Sequence, residues 1–241
     1  MDLEEQVKKG KMPEHIAVIM DGNRRWAKQN MLPAKLGHKE GAMRVIDLVR
    51  ACSELNIKYL SVYAFSTENW GREKPEVDYL MNLLIEFVKK ELNYLHQNNV
   101  KIRLMGNLKD LPEKTRKEVE RSIELTKNND KLTLNIALSY GSRAEITNAV
   151  KRVIMDYENK QINIEEINEE VFKKYLYTYD MPDPDLLIRT SGEMRLSNFL
   201  LYQLAYTEFY FTDIMWPEFN KEELLKAIYS FQTRKRRYGK N

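Results

Sequence analysis

Short apolar runs alternate with longer stretches of helical spacing along almost the whole chain, and this alternation restricts the fold more than any other feature. The runs at 16–20, 57–65, 100–105, 132–138, 185–190 and 208–211 have strand length and β-branched or aromatic content. Between them, apolar residues recur at helical spacing over 26–31, 37–55, 76–97, 111–128, 142–157, 164–176, 199–206 and 220–237. Strands alternating with helices predict an α/β fold, a central and mostly parallel six-stranded sheet flanked by helices. No Gly-, Ser- or Pro-rich linker interrupts the chain, so residues 1–241 read as a single domain with 1–12 as an N-terminal arm, either a short helix or a loose segment.

The first run stops abruptly at Asp21-Gly22-Asn23-Arg24-Arg25-Trp26. A carboxylate therefore sits at the carboxyl end of a strand, with an amide and two guanidiniums where a helix would begin. Ligands of open α/β sheets bind beyond such strand ends. Asp21 is a candidate Mg²⁺ ligand, and Asn23, Arg24 and Arg25 are candidate phosphate ligands. The plainer account of the same residues is an Asp-Gly turn beside solvated arginines.

Two further strand ends carry unusual polar groups. Ser66-Thr67-Glu68-Asn69-Trp70-Gly71-Arg72 follows the second run, and Arg189 to Ser197 follows the fifth. In a parallel sheet these ends share one rim. That rim is expected to hold Arg24, Arg25, Arg72, Arg189 and Arg195, with carboxylates at Asp21, Glu68 and Glu208. A guanidinium pairs two phosphate oxygens at once. Three charge-assisted hydrogen bonds supply roughly 5–9 kcal/mol, against about 8 kcal/mol for micromolar binding, so a diphosphate fits the rim.

Composition narrows the alternatives. Charged residues make up 31% of the chain but the net charge is only +3, which argues against a nucleic-acid partner. The single cysteine, Cys52, excludes an internal disulfide framework, fits a reducing compartment and reads as a core residue. No signal peptide and no run of transmembrane length is visible. There is no Walker-type loop and no zinc pattern. Over 76–97 the apolar set (Val77, Leu80, Met81, Leu84, Val88 and Leu95 among it) is wider than one stripe. Such a helix is either buried on two sides or also walls an apolar ligand cavity.

The segments MDGNRRWA, GHKEG, YAFSTENWGR, IRTSGEMRLSNFLL and YTEFYFTDIMWP, in this order, closely resemble the cis-prenyltransferases of the bacterial undecaprenyl diphosphate synthase type. The resemblance extends from about Pro13 to Gly239. It implies the cis-prenyltransferase fold with an apolar tunnel, and repeated condensation of isopentenyl diphosphate onto farnesyl diphosphate. The expected product is a long cis-polyprenyl diphosphate, undecaprenyl diphosphate, for the lipid carrier of cell-wall synthesis. It further implies Mg²⁺ dependence, a homodimer, and a cytoplasmic enzyme in transient peripheral contact with the inner face of the membrane.

Residue by residue, the resemblance assigns the allylic diphosphate to Gly22, Asn23, Arg24, Arg25 and His38, and the start of the prenyl chain to Trp26. Asp21 is implied as the catalytic Mg²⁺ ligand, with Glu208 as a second metal-associated carboxylate. Isopentenyl diphosphate is implied at Arg189, Arg195, Leu196 and Ser197. Ser66, Thr67, Glu68, Trp70 and Arg72 fall on a closing loop, where Asn69 matches the position assigned as proton acceptor. A neutral amide is a poor base, so Asn69 is expected rather to orient the nucleophile or pass the proton to a diphosphate oxygen. Arg237 matches an element that reaches the partner subunit; its plainer reading is a cationic helix end. By pattern alone, His38 is equally a structural histidine or a ligand.

In one place the chain departs from the family. An arginine usually stands four residues before the histidine of GHKEG; here that residue is Ala34, followed by Lys35. Either Lys35 substitutes from another angle or the allylic diphosphate binds more weakly. Val49, Leu132, Leu134 and Ile136 are expected to line the tunnel with the wide helix, and Leu132 falls at a floor position. Two rivals are disfavoured. A strand-end Asp phosphatase wants a carboxylate two residues after Asp21, where Asn23 stands; a non-catalytic partner subunit should have lost the DGN and ENW groups, which are present.

Overall fold

The computed structural model describes residues 2–234. Its sheet has six strands, β1 (His15–Ile19), β2 (Tyr59–Ser66), β3 (Val100–Met105), β4 (Leu132–Tyr140), β5 (Leu186–Arg189) and β6 (Glu208–Phe211). They lie in the order β3-β4-β2-β1-β5-β6, and every pairing is parallel. The chain thus leaves β1 towards β2 on one side and returns to β5 on the other. The loops after β1, β2 and β5 diverge around that reversal and leave a crevice at the carboxyl rim.

Alternation along β1 shows how the sheet is covered. Ile16 and Val18 face the larger core, with Leu60 and Val62 of β2 and Ile188 of β5. The helices on that face are α1 (Leu3–Lys9), α3 (Ala34–Glu54), α4 (Lys74–Gln97), α5 (Glu113–Thr126) and α8 (Lys221–Thr233), with α2 (Asn23–Gln29) leading into α3. Ala17, Ile19 and Leu187 face the smaller core, plugged by Phe199, Leu200 and Leu204. Two further helices, α6 (Ser142–Glu158) and α7 (Glu169–Lys173), complete the helical set of the described residues.

Of the two readings of residues 1–12 the short helix holds: α1 packs against α8 with Val7 fully buried. Other expectations are corrected. The helix expected over 164–176 is a 3-10 turn, Ile164–Glu166, and the five residues of α7. The helix expected over 199–206 is a series of turns. Its apolar residues follow no helical period because they plug the small core, and Ser197, Asn198 and Leu200 sit at positive φ. Val49, Leu132 and Leu134, expected along the tunnel, are 0–1% exposed in the packed core and do not line the cavities described below.

Candidate active site

Met20 carries the chain over the edge of β1 to Asp21, and Thr190, just past β5, fixes it there. Thr190 Oγ1 accepts from the Asp21 N–H at 2.9 Å and donates to the Asp21 carbonyl at 2.7 Å. The Asp21 carboxylate is held by two guanidiniums: Arg25 Nη2 donates to Oδ1 at 3.1 Å and Arg189 Nη2 to Oδ2 at 3.0 Å. Arg189 is 3% exposed and also donates to Ser197 Oγ at 2.8 Å and to the Arg195 carbonyl. Arg25 reaches Glu193 at 3.1 Å, and Arg195 pairs with the same carboxylate.

The turn after Asp21 requires glycine. Gly22 has φ +104°, and a Cβ there would lie 2.9 Å from Ser191 Oγ. Asn23 then starts α2 and presses against α3 at two more glycines. A Cβ at Gly37 would lie 2.1 Å from the Asn23 carbonyl oxygen, and one at Gly41 2.3 Å from Asn23 Oδ1. Buried here without hydrogen-bond partners are Asn23 Oδ1, His38 Nε2, Arg189 Nε and Ser191 Oγ. Buried polar groups are normally satisfied; these four stand at one rim, and Asn135 Oδ1 and Gln203 Oε1 are left without partners elsewhere. Burial lowers the pKa of His38, aided by the charges of Arg72 and Arg24 and opposed by Glu76. The guanidiniums of Arg24 and Arg72 and the imidazole of His38 gather on Glu76, in the first turn of α4. Its Oε1 is 3.0 Å from Arg72 Nη1 and 3.6 Å from His38 Nε2, and its Oε2 is 3.6 Å from Arg24 Nη1.

Thr67–Gly71 after β2 form a 3-10 turn with a reciprocal cap. Asn69 Oδ1 accepts from the Ser66 N–H at 3.0 Å while the Ser66 side chain caps the Asn69 backbone. The amide oxygen of Asn69 is therefore engaged in holding the turn. Glu68 accepts from Asn198 Nδ2 at 2.9 Å and from Thr67 Oγ1 at 3.1 Å, which ties the turn to the β5 loop. Trp70 donates to Ser139 Oγ at 2.9 Å and packs edge-on against Phe65.

Two cavities meet at this rim. A polar cleft of about 610 Å³ is lined by Asp21, Ser66, Glu68, Asn69, Arg72, Arg189, Arg195 and Ser197 among others. An apolar cavity of about 130 Å³ runs between α3 and α4, walled by Val45, Leu83, Leu84, Phe87, Ile136 and Leu138 among others. Both include Met20, Asn23, His38, Tyr63, Ala64 and Leu80 in their walls, so the two spaces adjoin. A side recess at the mouth adds Gly22, Arg24 and Arg25.

The structure thus brings most of the expected residues together. Trp26, Thr67, Trp70 and Leu196 do not line these cavities. The expectation that Glu208 stands on the same rim is overturned. Glu208 opens β6 opposite Leu186, whereas Arg189 at the rim pairs with Phe211. At about 3.3 Å per residue that is roughly 10 Å down the strand. Glu208 is bonded there to Arg234 Nη1 at 2.8 Å. Arg237 lies outside the described residues. Lys35 does not replace the missing arginine: its Nζ lies 5.3 Å from the Tyr79 ring centre, and its carbonyl accepts from Tyr79 OH at 2.9 Å.

Thr190, Tyr63, Asn198 and Glu76 were missed from sequence. Tyr63 OH reaches the Tyr140 and Ser197 carbonyls at 3.2 and 3.3 Å. Glu76 carried one legible signal, its spacing of four residues from Arg72.

Residues 19–239 match the family described as "Putative undecaprenyl diphosphate synthase". The chain is 52% identical to the isoprenyl transferase of Clostridium perfringens over 229 residues, 95% of this chain and 90% of that protein. It is 53% identical to the isoprenyl transferase of Bacillus cereus over 237 residues, 98% of this chain and 92% of that one. Among solved structures, it resembles lavandulyl diphosphate synthase from Lavandula x intermedia in complex with dimethylallyl diphosphate. That likeness has a TM-score of 0.92 and 35% identity, over 95% of this chain and 99% of the other. A probable undecaprenyl diphosphate synthase from Campylobacter jejuni gives a TM-score of 0.79 and 39% identity, over 95% and 100%.

Proposed function

The chain belongs to the undecaprenyl diphosphate synthase family of isoprenyl transferases, and from that we propose that it condenses isopentenyl diphosphate repeatedly onto farnesyl diphosphate to make undecaprenyl diphosphate. The observation that carries this reading is that the polar cleft and the apolar cavity adjoin and share six wall residues. A prenyl diphosphate has the same two parts, an anionic head and a greasy tail. The lavandulyl diphosphate synthase that the chain resembles was solved with dimethylallyl diphosphate. In our reading Arg24, Arg25 and His38 take the allylic diphosphate, Arg189, Arg195 and Ser197 take isopentenyl diphosphate, and the tail enters the apolar cavity, which extends as a tunnel as the chain grows.

The reaction breaks the allylic C–O bond and forms a C–C bond from the isopentenyl double bond. Pyrophosphate leaves, and loss of one proton sets the new cis double bond. Arg24 and Arg25 stabilise the charge that develops on the leaving oxygens. Arg189, buried and bonded to Ser197, fixes the second diphosphate so that its double bond lies near the breaking bond. Because the Asn69 amide oxygen is already engaged by Ser66, the proton goes to a diphosphate oxygen rather than to Asn69.

A Mg²⁺ ion fits Asp21. Among the described residues no group of three or more acidic, histidine or cysteine side chains converges. Mg²⁺ nevertheless needs only one or two carboxylates when substrate phosphates and water complete its shell. Bound there, it would neutralise diphosphate charge. Glu208 of the same chain is too far down β6 to share that ion.

We further propose that two copies pair through the open edge of β6 and the exposed stripe Val150, Ile154 and Tyr157 on α6. No helix of the described residues is long and apolar enough to cross a membrane. Transient contact from the cytoplasmic side is the mode we propose for product delivery in cell-wall synthesis. Incubation with labelled isopentenyl diphosphate and farnesyl diphosphate, with and without EDTA, tests the reading. We expect incorporation that EDTA abolishes and a product of undecaprenyl length by chromatography. Absence of incorporation with Mg²⁺ present would sink it.

A further inference from the structure

Two guanidiniums and an imidazole from three different elements converge on one carboxylate: Arg24 from α2, His38 from α3 and Arg72 from the loop before α4 all face Glu76. Glu76 stands in the first turn of α4, where an acidic side chain suits the helix dipole. Its spacing from Arg72 is that of an ordinary helical ion pair. Those two facts explain one of the three contacts. They do not explain why Arg24 and His38 turn towards the same oxygens, nor why buried His38 Nε2 stops at 3.6 Å without a hydrogen bond.

We propose that Glu76 is a resident counter-anion, holding Arg24, His38 and Arg72 at the place the allylic diphosphate takes and leaving when the diphosphate arrives. This rests on the substrate reading given above. Carboxylate and phosphate oxygens accept from the same donors in similar geometry. The carboxylate therefore keeps the guanidiniums of Arg24 and Arg72 gathered beside His38 instead of splayed by mutual repulsion, and the ligand exchanges one anion for another. The exchange also runs backwards. After bond formation, the returning carboxylate competes with pyrophosphate and speeds its departure. Glu193 stands in the same relation to Arg25 and Arg195. Glu76 is in this sense a positioning residue whose removal strengthens, rather than weakens, ligand binding.

Calorimetric titration with inorganic pyrophosphate, without metal, decides the sign. Glu76→Gln should bind pyrophosphate about three- to tenfold more tightly than the wild type, as expected when weak exposed ion pairs no longer compete. In turnover the same variant should show stronger inhibition by pyrophosphate and a lower kcat with a lower KM for farnesyl diphosphate. Glu76→Asp, with a shorter reach, should fall between. Glu86→Gln, which removes an exposed carboxylate from the same helix, should match the wild type and so exclude a general charge effect. Equal or weaker pyrophosphate binding by a Glu76→Gln protein of wild-type melting temperature would overturn the proposal. If wild-type protein incorporates no isopentenyl diphosphate, the substrate reading has failed and this one falls with it. If it does and Glu76→Gln gains nothing, only the counter-anion role has failed.

Discussion

His15 and His38 are both buried and both have a lowered proton affinity, yet they do opposite things with their ring nitrogens. His15, at the amino end of β1, has both satisfied. One ring nitrogen meets the Pro182 carbonyl at 2.7 Å, and the other meets Ser61 Oγ at 2.7 Å, which also accepts from Asn135. His38, beside the carboxyl rim, leaves Nε2 without a hydrogen bond. In the first the imidazole is fully satisfied, although Asn135 Oδ1 next to it has no partner. The second is incomplete, and an incomplete buried polar group stays costly until something binds. One sheet thus separates an end whose histidine is satisfied from an end whose histidine is not.

The contrast is sharpest at Asp21. Asp21→Ala should cut isopentenyl diphosphate incorporation by about a hundred- to thousandfold, measured below its melting temperature, which falls as buried Arg189 loses its partner. Comparable activity in that variant would break the distinction. The next effect belongs to the satisfied histidine. Burial holds the pKa of His15 at about 4 against 6.5 in the open chain. The unfolded state therefore takes up the proton first as pH falls. The stability that His15 contributes is complete above about pH 6.5 and declines towards pH 4, by about 3 kcal/mol. Urea unfolding of wild type and His15→Gln at pH 7 and 4.5 checks this; the step should be missing from the variant.

A smaller effect is expected from His38→Ala, which should raise KM for farnesyl diphosphate by about ten- to thirtyfold at nearly constant stability, the loss of one charge-assisted contact. If it unfolds the protein instead, His38 is a second His15. The smallest concerns Lys35, which is turned to Tyr79. Lys35→Ala should change the same KM by less than about twofold, the range of an exposed side chain.

Sequence and structure agree where physics is local. Each strand was legible because a buried parallel strand is a short apolar run with polar ends. The rim was legible for the same reason: strand ends in a parallel sheet point one way, so Asp21, Ser66 and Arg189 had to meet. Glu208 broke that logic because it begins its strand. Its motif neighbours suggested a place on the rim that its position in β6 denies. The turns at 199–206 misled because Phe199, Leu200 and Leu204 are apolar for plugging a hole, not for a helical face. Glu76 was hidden because no pattern within one element shows that Arg24 and His38 converge on it from two others.

The seam between α2 and α3 has a consequence for how this protein can diversify. Gly37 and Gly41 leave no clearance for even one methyl group against Asn23. Altering the size of the allylic primer by mutation therefore cannot begin on that side, where the smallest change would dislodge a ligand-facing amide. Adaptability must come from across the chamber, where Leu83, Leu84 and Phe87 of α4 can be trimmed or enlarged. One wall is frozen in shape and the other is free to be retailored, and a library built on the second alone should yield new chain lengths without losing the chemistry.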